Sequence, residues 1–522
     1  MSKKSTPNAN QIKPSKLAFN KLWLFVTVTF SGGAVMILEL LGTRIIAPYY
    51  GVSLYVWSAL IAVTMIALAI GYYLGGFLAD RYEKLRLAHI VMFASVATVL
   101  IPFMSGPVMQ IANPLGIRGG AFLSAMLLFS FPLTALAMVG PFVIKLATQD
   151  LQGVGRAVGS VYAVSTVGSV IATLLLGFVF LPTFGTRSII FSTSLMLLIL
   201  SFALMALDKA GFARMSSSLP VWFLGIMVVL LSVNGYAKPH NAAKGFKLIH
   251  EEESVYGWVR VVDDLRNGYR LLLSDSSVLS AVKLENGQSL LTYQAVLGGL
   301  PLFRPQAKEA LLIGLGGGHV AVDLKSKGLN TDTIEIDPAV ADAAVDYFHY
   351  KPTGDFIVGD ARYEIKKLQK RYDIIIHDCF TGGSEPTHLL TQEMLTELRS
   401  LLTDHGVLAL NYVGFQHGEG SEAVASVYKT LQQVLPNVKV FITEKEEFTD
   451  FIFLASAQAI NLDSASADPR VQWLLEHQYV FKENQGIVIT DNFNPLESMQ
   501  VRKAENYRTI FMQRISPELL FL

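Results

Sequence analysis

The sequence predicts a two-part chain: an α-helical polytopic membrane domain, then an α/β domain with a Rossmann-like parallel sheet and a small β-subdomain at its start. Three observations predict it. Hydrophobic residues make up 52% of the 522 and charged residues only 16%, and the apolar excess is concentrated between residues 22 and 237. From residue 244 onward short apolar strands alternate with helical stretches. Glycines and acids recur where those strands end, the place where open α/β sheets bind ligands.

A helix needs about 20 apolar residues to cross the hydrocarbon core. Seven stretches have that character: Leu22–Thr43, Leu54–Ala79, Leu87–Ala112, Gly120–Ile144, Ala157–Pro182, Ser188–Leu207 and Leu219–Tyr236. The first is too long for a secretory signal and is read as a retained helix. Basic residues alternate between the loops. Five lysines precede the first span, and Arg81, Lys84 and Arg86, then Lys145 and Arg156, then Lys209 and Arg214 lie in every second loop. The other loops hold only Arg44, Arg118 and Arg187. The N-terminal tail is therefore expected to be cytoplasmic, with the chain multi-pass in a lipid bilayer. The side taken by the C-terminal domain depends on whether the span count is odd or even. Gly71 and Gly75 are spaced for close helix packing. Glu39 and Arg44 form either a structural pair or a coupling site. The run Gly71–Arg81 resembles a loop signature of major facilitator transporters, which keeps a transport role open.

The organisation expected is a tail over 1–20, membrane helices over 21–237, a linker over 238–247, a β-subdomain over 248–288 and the nucleotide-binding domain over 289–522. In the β-subdomain, alternation around Trp258–Val262 and Leu271–Leu273 flanks Asn267-Gly268, a strong hairpin signal. Strands are then expected at Ala310–Ile313, Thr333–Ile336, Asp355–Val358, Tyr372–His377 and Gly406–Asn411. A net charge of zero gives no argument for a nucleic-acid partner, and a single cysteine, Cys379, excludes a disulfide or thiolate cage within the chain. No metal is expected.

Four features fall at successive strand ends. Gly314-Leu-Gly316-Gly317-Gly318-His319 lets backbone approach a ligand ahead of a helix N-terminus. Glu335-Ile-Asp337 follows about 20 residues later, where an acid accepts from ribose hydroxyls. Asp360-Ala361 can meet an adenine amino group, and Asp378 ends the fourth strand.

This series resembles adenosyl-donor-binding domains, most closely the spermidine synthase family, and in particular bacterial members fused to a membrane domain. Glu39–Arg44, Asp378–Gly382 with Pro386–Thr391, and Thr490–Glu497 carry the likeness. The resemblance implies aminopropyl transfer from decarboxylated S-adenosylmethionine to a small amine, with methylthioadenosine released. It implies a bacterial plasma-membrane location and leaves room for a homodimer. Glu335, Asp337, Asp360, Ala361, Asp275 and the glycines Gly314, Gly316, Gly317 and Gly318 would hold the donor. Tyr293, Tyr256 and Thr381 would line the acceptor side. Asp378, with His388 and secondarily His319, would serve catalysis.

The chain departs from the family at Gly317 and Thr381, where relatives carry acids, and at Leu279. An Asp at 317 would repel an α-carboxylate by roughly 4 kcal/mol at about 4 Å and an effective dielectric near 20. Its absence makes intact S-adenosylmethionine a second candidate donor, with methyl transfer or lysis as alternative reactions. A transporter or sensor with a non-catalytic nucleotide-binding domain is the rival of another class.

Overall fold

The computed structural model describes residues 21–51, 53–82, 85–148, 153–207, 219–237, 244–380, 383–461, 469–481, 486–515 and 519. All seven apolar stretches are helical: α1 (Lys21–Tyr50), α2 (Leu54–Arg81), α3 (Leu87–Ala112), α4 (Gly116–Ala147), α5 (Val154–Leu175), α6 (Thr186–Leu207) and α7 (Leu219–Ala237). One 3-10 turn, Asn113–Leu115, joins α3 to α4. By length and composition five helical segments could cross a membrane, with α3 and α4 counted as one; the apolar part of α7, Pro220–Gly235, is shorter.

Small residues set the helix contacts. A Cβ on Gly71 would lie 2.4 Å from the Ala137 Cβ, and one on Gly75 would lie 2.8 Å from the Met138 Cα. Those two glycines therefore let α2 and α4 touch backbone to backbone, as their spacing predicts. Ser95 and Ser194 exchange hydroxyl-to-carbonyl bonds of 2.8 Å between α3 and α6.

The β-subdomain is an antiparallel meander of β1 (Phe246–Glu253), β2 (Trp258–Asp264), β3 (Tyr269–Ser274) and β4 (Ser277–Lys283). β1 begins at Phe246, inside the stretch expected to be linker, because Phe246 and Lys247 pair with Asp264 and Asp263 of β2. The Asn267-Gly268 hairpin is present as a loop of four residues rather than two. Its Asp264 carboxylate accepts from the Arg266 amide at 3.0 Å and the Asn267 Nδ2 at 2.7 Å, and Gly268 takes φ 70°.

The second sheet has eight strands: β5 (Glu309–Ile313), β6 (Asn330–Glu335), β7 (Phe356–Val358), β8 (Tyr372–His377), β9 (Leu402–Phe415), β10 (Asn437–Ile442), β11 (Phe448–Ser456) and β12 (Gln478–Tyr479). Their order is β12-β10-β11-β9-β8-β5-β6-β7, parallel from β9 to β7 and antiparallel beyond. The order reverses between β5 and β8, which opens a crevice at their C-terminal ends. β9 is longer than the alternation suggests because β11 pairs along it from Val407 to Phe415.

The C-terminal half docks on the end of the bundle where α1 ends and α2, α4 and α6 begin. Three helix N-termini there receive a carboxylate from the C-terminal half. Glu497 accepts from the Leu54 amide at 2.7 Å, Glu505 from Ile117 at 3.2 Å and Glu253 from Thr186 at 2.7 Å. Each satisfies an otherwise orphan N–H and opposes the positive helix end. Arg44 donates to the carbonyls of Ser254 and Val255, so its partners lie in the β-subdomain. Arg508, on the C-terminal helix Val501–Arg514, lies buried over the rings of Tyr49 and Tyr50 at 5.4 and 5.2 Å.

Candidate active site

The crevice is a cavity of about 840 Å³. Gly314 follows β5 with φ 87°, and a Cβ there would fall 2.1 Å from the Asp378 carbonyl. Only glycine lets the ends of β5 and β8 approach so closely. The Leu315 amide donates to Glu335 Oε2 at 2.9 Å and the Asp337 amide to Oε1 at 3.0 Å, which aims the Glu335 carboxyl at the cavity. Burial pushes Glu335 up from the usual carboxylate range, against the two amides. Asp360 caps the next short helix through the Tyr363 amide at 3.1 Å and lines the cavity with Ala361, Gly314 and Gly316.

The other end is built around Asp378. Its Oδ1 accepts from Asn411 Nδ2 at 3.1 Å, and Tyr293 lines the same cavity. Burial raises Asp378 to about 7, helped by the Asp450 charge and opposed by the Asn411 bond. Asp450 is itself raised to about 6, again chiefly by burial, while its Oδ2 accepts from the Thr443 hydroxyl at 3.1 Å. Two carboxyls therefore change charge near neutrality inside one cavity, a pattern typical of acid–base sites. Behind them lies a third acid, Glu385, whose side chain, like that of its ion-pair partner Lys503, is only 2% exposed. Glu385 Oε1 also accepts from the Val413 amide at 2.8 Å.

The structure separates the sequence-predicted residues. Glu335, Asp360, Ala361, Gly314, Gly316, Tyr293, Asp378 and the exposed His388 share the cavity. The structure places the others elsewhere. Asp337 lies outside the wall because its oxygens accept from the Ala339 amide at 3.0 Å and the Ser254 hydroxyl at 2.8 Å, capping a helix. Asp275 turns back into the β-subdomain, where it accepts from the Trp258 amide at 3.0 Å. Tyr256 is exposed outside the cavity. Gly317 points at β4: a Cβ there would meet Ser280 Oγ at 2.6 Å, so a side chain at this position would press on Ser280 rather than reach the donor. Gly318 and His319 begin a helix behind the loop, outside the wall. Thr381 lies outside the described residues.

Asn411, Asp450, Glu385, Lys503 and Tyr507 were not found by sequence reasoning. A signal existed for Asp450, the one charged residue of the strand Phe448–Ser456, where an unpaired charge is costly. Lys503 and Tyr507 sit on the C-terminal helix, which no strand-end pattern announces.

A parallel sheet thus brings a glycine turn, the buried acid Glu335 and the desolvated carboxyl of Asp378 together at one switch point of a Rossmann-like domain. Residues 290–459 match the spermine/spermidine synthase domain. Two curated relatives are similar. The N-terminal histidine N-methyltransferase of Emericella nidulans is 32% identical over 222 residues, covering 38% of this chain and 39% of that protein. The polyamine aminopropyltransferase of Vibrio vulnificus is 34% identical over 178 residues, covering 31% and 58%. The chain thus spans between 39% and 58% of these relatives' lengths. Among solved structures, a probable spermidine synthase from Corynebacterium glutamicum aligns at 17% identity and a TM-score of 0.38, over 49% of this chain and 93% of that one.

Two outcomes follow from the geometry. Lys503→Met leaves Glu385 as an unpaired buried charge and should cost about 3–5 kcal/mol, whereas Lys503→Met with Glu385→Leu should recover most of it. Thermal unfolding of the three proteins in detergent checks this, and equal losses in the single and double variants would show that the pair is not the cause. Glu335→Ala should weaken methylthioadenosine binding by about 10- to 150-fold, the worth of a charge-assisted hydrogen bond of about 1.5–3 kcal/mol. Calorimetry reads the dissociation constant, and an unchanged value would make Glu335 a purely structural acceptor of backbone amides.

Proposed function

We propose that the protein is a membrane-embedded transferase that moves the aminopropyl group of decarboxylated S-adenosylmethionine onto an amine and releases methylthioadenosine. The observation that carries this reading is Asp378, a carboxyl held near neutrality by burial, in the same cavity as Glu335 and Asp360. Glu335 would accept from the ribose hydroxyls and Asp360 from the adenine amino group. The acceptor must be unprotonated to attack. Its nitrogen lone pair forms a bond to the propyl carbon on sulfur, the carbon–sulfur bond breaks, and its electron pair stays on the now neutral sulfur. The surplus proton on nitrogen passes to the Asp378 carboxylate, with Asn411 orienting that group.

A second reading, methyl transfer from intact S-adenosylmethionine, is favoured by the similarity to an N-methyltransferase. The products separate the two: methylthioadenosine for aminopropyl transfer, adenosylhomocysteine for methyl transfer.

The base role sets a pH dependence. Asp378 is protonated below about 7 and competent above it, so turnover at saturating acceptor should rise with pH through a midpoint near 7. Asp378→Asn should abolish product while nucleotide affinity stays within about threefold. Parallel losses of turnover and affinity in that variant would make Asp378 a binding residue.

The membrane arrangement is proposed on the same footing. The soluble half docks at the bundle end opposite the start of α1, and the lysine-rich tail is expected in the cytoplasm. An odd number of spans then sets the soluble half on the far face. Alkaline phosphatase fused after Leu522 should be active and a fluorescent protein fused there dark; the reverse pattern would require a cytoplasmic site.

A further inference from the structure

The two ends of the cavity are built by different packing units. The nucleotide and base end is walled by β5, β6, β8 and β9, whose apolar residues form clusters of their own. The far end is walled by Leu271, Ala281, Leu290, Leu291, Phe511 and Ile515. Leu271, Ala281 and Phe511 belong to one continuous apolar cluster with the residues of α1–α7, and Leu290, Leu291 and Ile515 pack against it. One wall of the site is therefore an extension of the membrane bundle's core.

Charge is distributed just as unevenly. Glu335, Asp360, Asp378 and Asp450 line the sheet end, with exposed Glu444, Glu446 and Glu447 on the turn between β10 and β11. Among the described residues that line the cavity, Arg514 alone is a lysine or arginine. At the far end the one acid, Asp264, is already engaged by Arg266 and Asn267. A short diamine reaching along this wall would set its second ammonium against leucine and phenylalanine, where an unpaired charge is strongly disfavoured. An alkyl chain is favoured there, in proportion to the apolar area it removes from water.

We propose that the acceptor is an amphiphile: a primary amine held between Asp378 and Asp450, with an apolar tail lying along Leu271, Leu290, Phe511 and Ile515 toward the membrane bundle. This rests on the aminopropyl-transfer reading and names its substrate class. The bond changes are those given above, so the product is the secondary amine of the same amphiphile plus methylthioadenosine. A free long-chain amine and an amine-headed lipid share this chemistry.

The test uses the full chain in lipid nanodiscs with decarboxylated S-adenosylmethionine and four acceptors: butylamine, octylamine, dodecylamine and 1,4-diaminobutane. Methylthioadenosine release should show kcat/KM rising at least tenfold from butylamine to octylamine, and Ile515→Gln should flatten that rise. In discs containing phosphatidylethanolamine and no added amine, release together with a lipid heavier by one aminopropyl group identifies the lipid as the source. Release only with dodecylamine identifies the free amine. A diamine preferred more than tenfold over every alkylamine overturns the proposal while leaving aminopropyl transfer intact. If no acceptor releases methylthioadenosine, the transfer reading fails and a photoreactive dodecylamine decides the binding claim. Crosslinks at residues 290–291 or 510–515 support an amphiphile site, whereas crosslinks confined to α1–α7, or none, overturn it.

Discussion

Three carboxyls, Asp378, Asp450 and Glu385, lie within electrostatic reach of one another, and a single buried ammonium, that of Lys503, answers them. Burial lowers Lys503 from its ordinary value while the Glu385 charge opposes the shift, so the pair survives as an ion pair only because its members are in contact. Lys503 also stands 3.9 Å over the Tyr412 ring, whose hydroxyl accepts from Gln500 at 2.9 Å. The consequence is a division of labour. Glu385 is neutralised by contact, and Asp378 and Asp450, which lack such a partner, are left with values near neutrality. A second lysine beside Asp378 would hold it charged and strip it of the ability to take a proton near pH 7.

The element that delivers Lys503 ties the site to the helical bundle. Helix Val501–Arg514 sends Lys503 into the acid cluster, Tyr507 and Phe511 into the cavity wall, and Glu505 and Arg508 onto α4 and α1. Tyr507 stacks at a tilt on Phe380 with centroids 5.0 Å apart, and its hydroxyl accepts from the Val278 amide at 3.2 Å, linking helix, β8 loop and β-subdomain. The acids that cap α2, α4 and α6 fix the same docking from the bundle's side. Helical bundle, β-subdomain and sheet thus meet at one helix.

Much of the architecture was legible from periodicity. The seven apolar runs, the Asn267-Gly268 reversal and the parallel strands through Tyr372–His377 appear where the residues place them, because each is set by local pattern. The grouping of Gly314, Glu335, Asp360 and Asp378 around one cavity was legible for the same reason: they sit at strand ends, and parallel pairing brings strand ends together. What failed was direction. Asp337 and Asp275 stand close in sequence to wall residues, but nearby N–H and hydroxyl donors capture their oxygens. Gly317 faces Ser280 because β4 closes over that side of the loop. The Asp378 end was illegible beyond that residue, since Asn411 reaches it across the parallel β8–β9 pair, Asp450 through antiparallel pairing of β11 with β9, and Lys503 from a terminal helix at long sequence separation. No motif encodes those contacts.

The proposed reaction requires one shared cavity in which the nucleotide lies at Glu335 and the reacting carbon faces Asp378. The most direct measurement is the structure of the full chain with bound methylthioadenosine, determined by electron cryomicroscopy in nanodiscs. The account predicts ribose hydroxyls within hydrogen-bond reach of Glu335, adenine against Asp360 and Ala361, and the thioether sulfur turned toward Asp378. A nucleotide bound elsewhere, or bound with its sulfur turned away from Asp378, would contradict it.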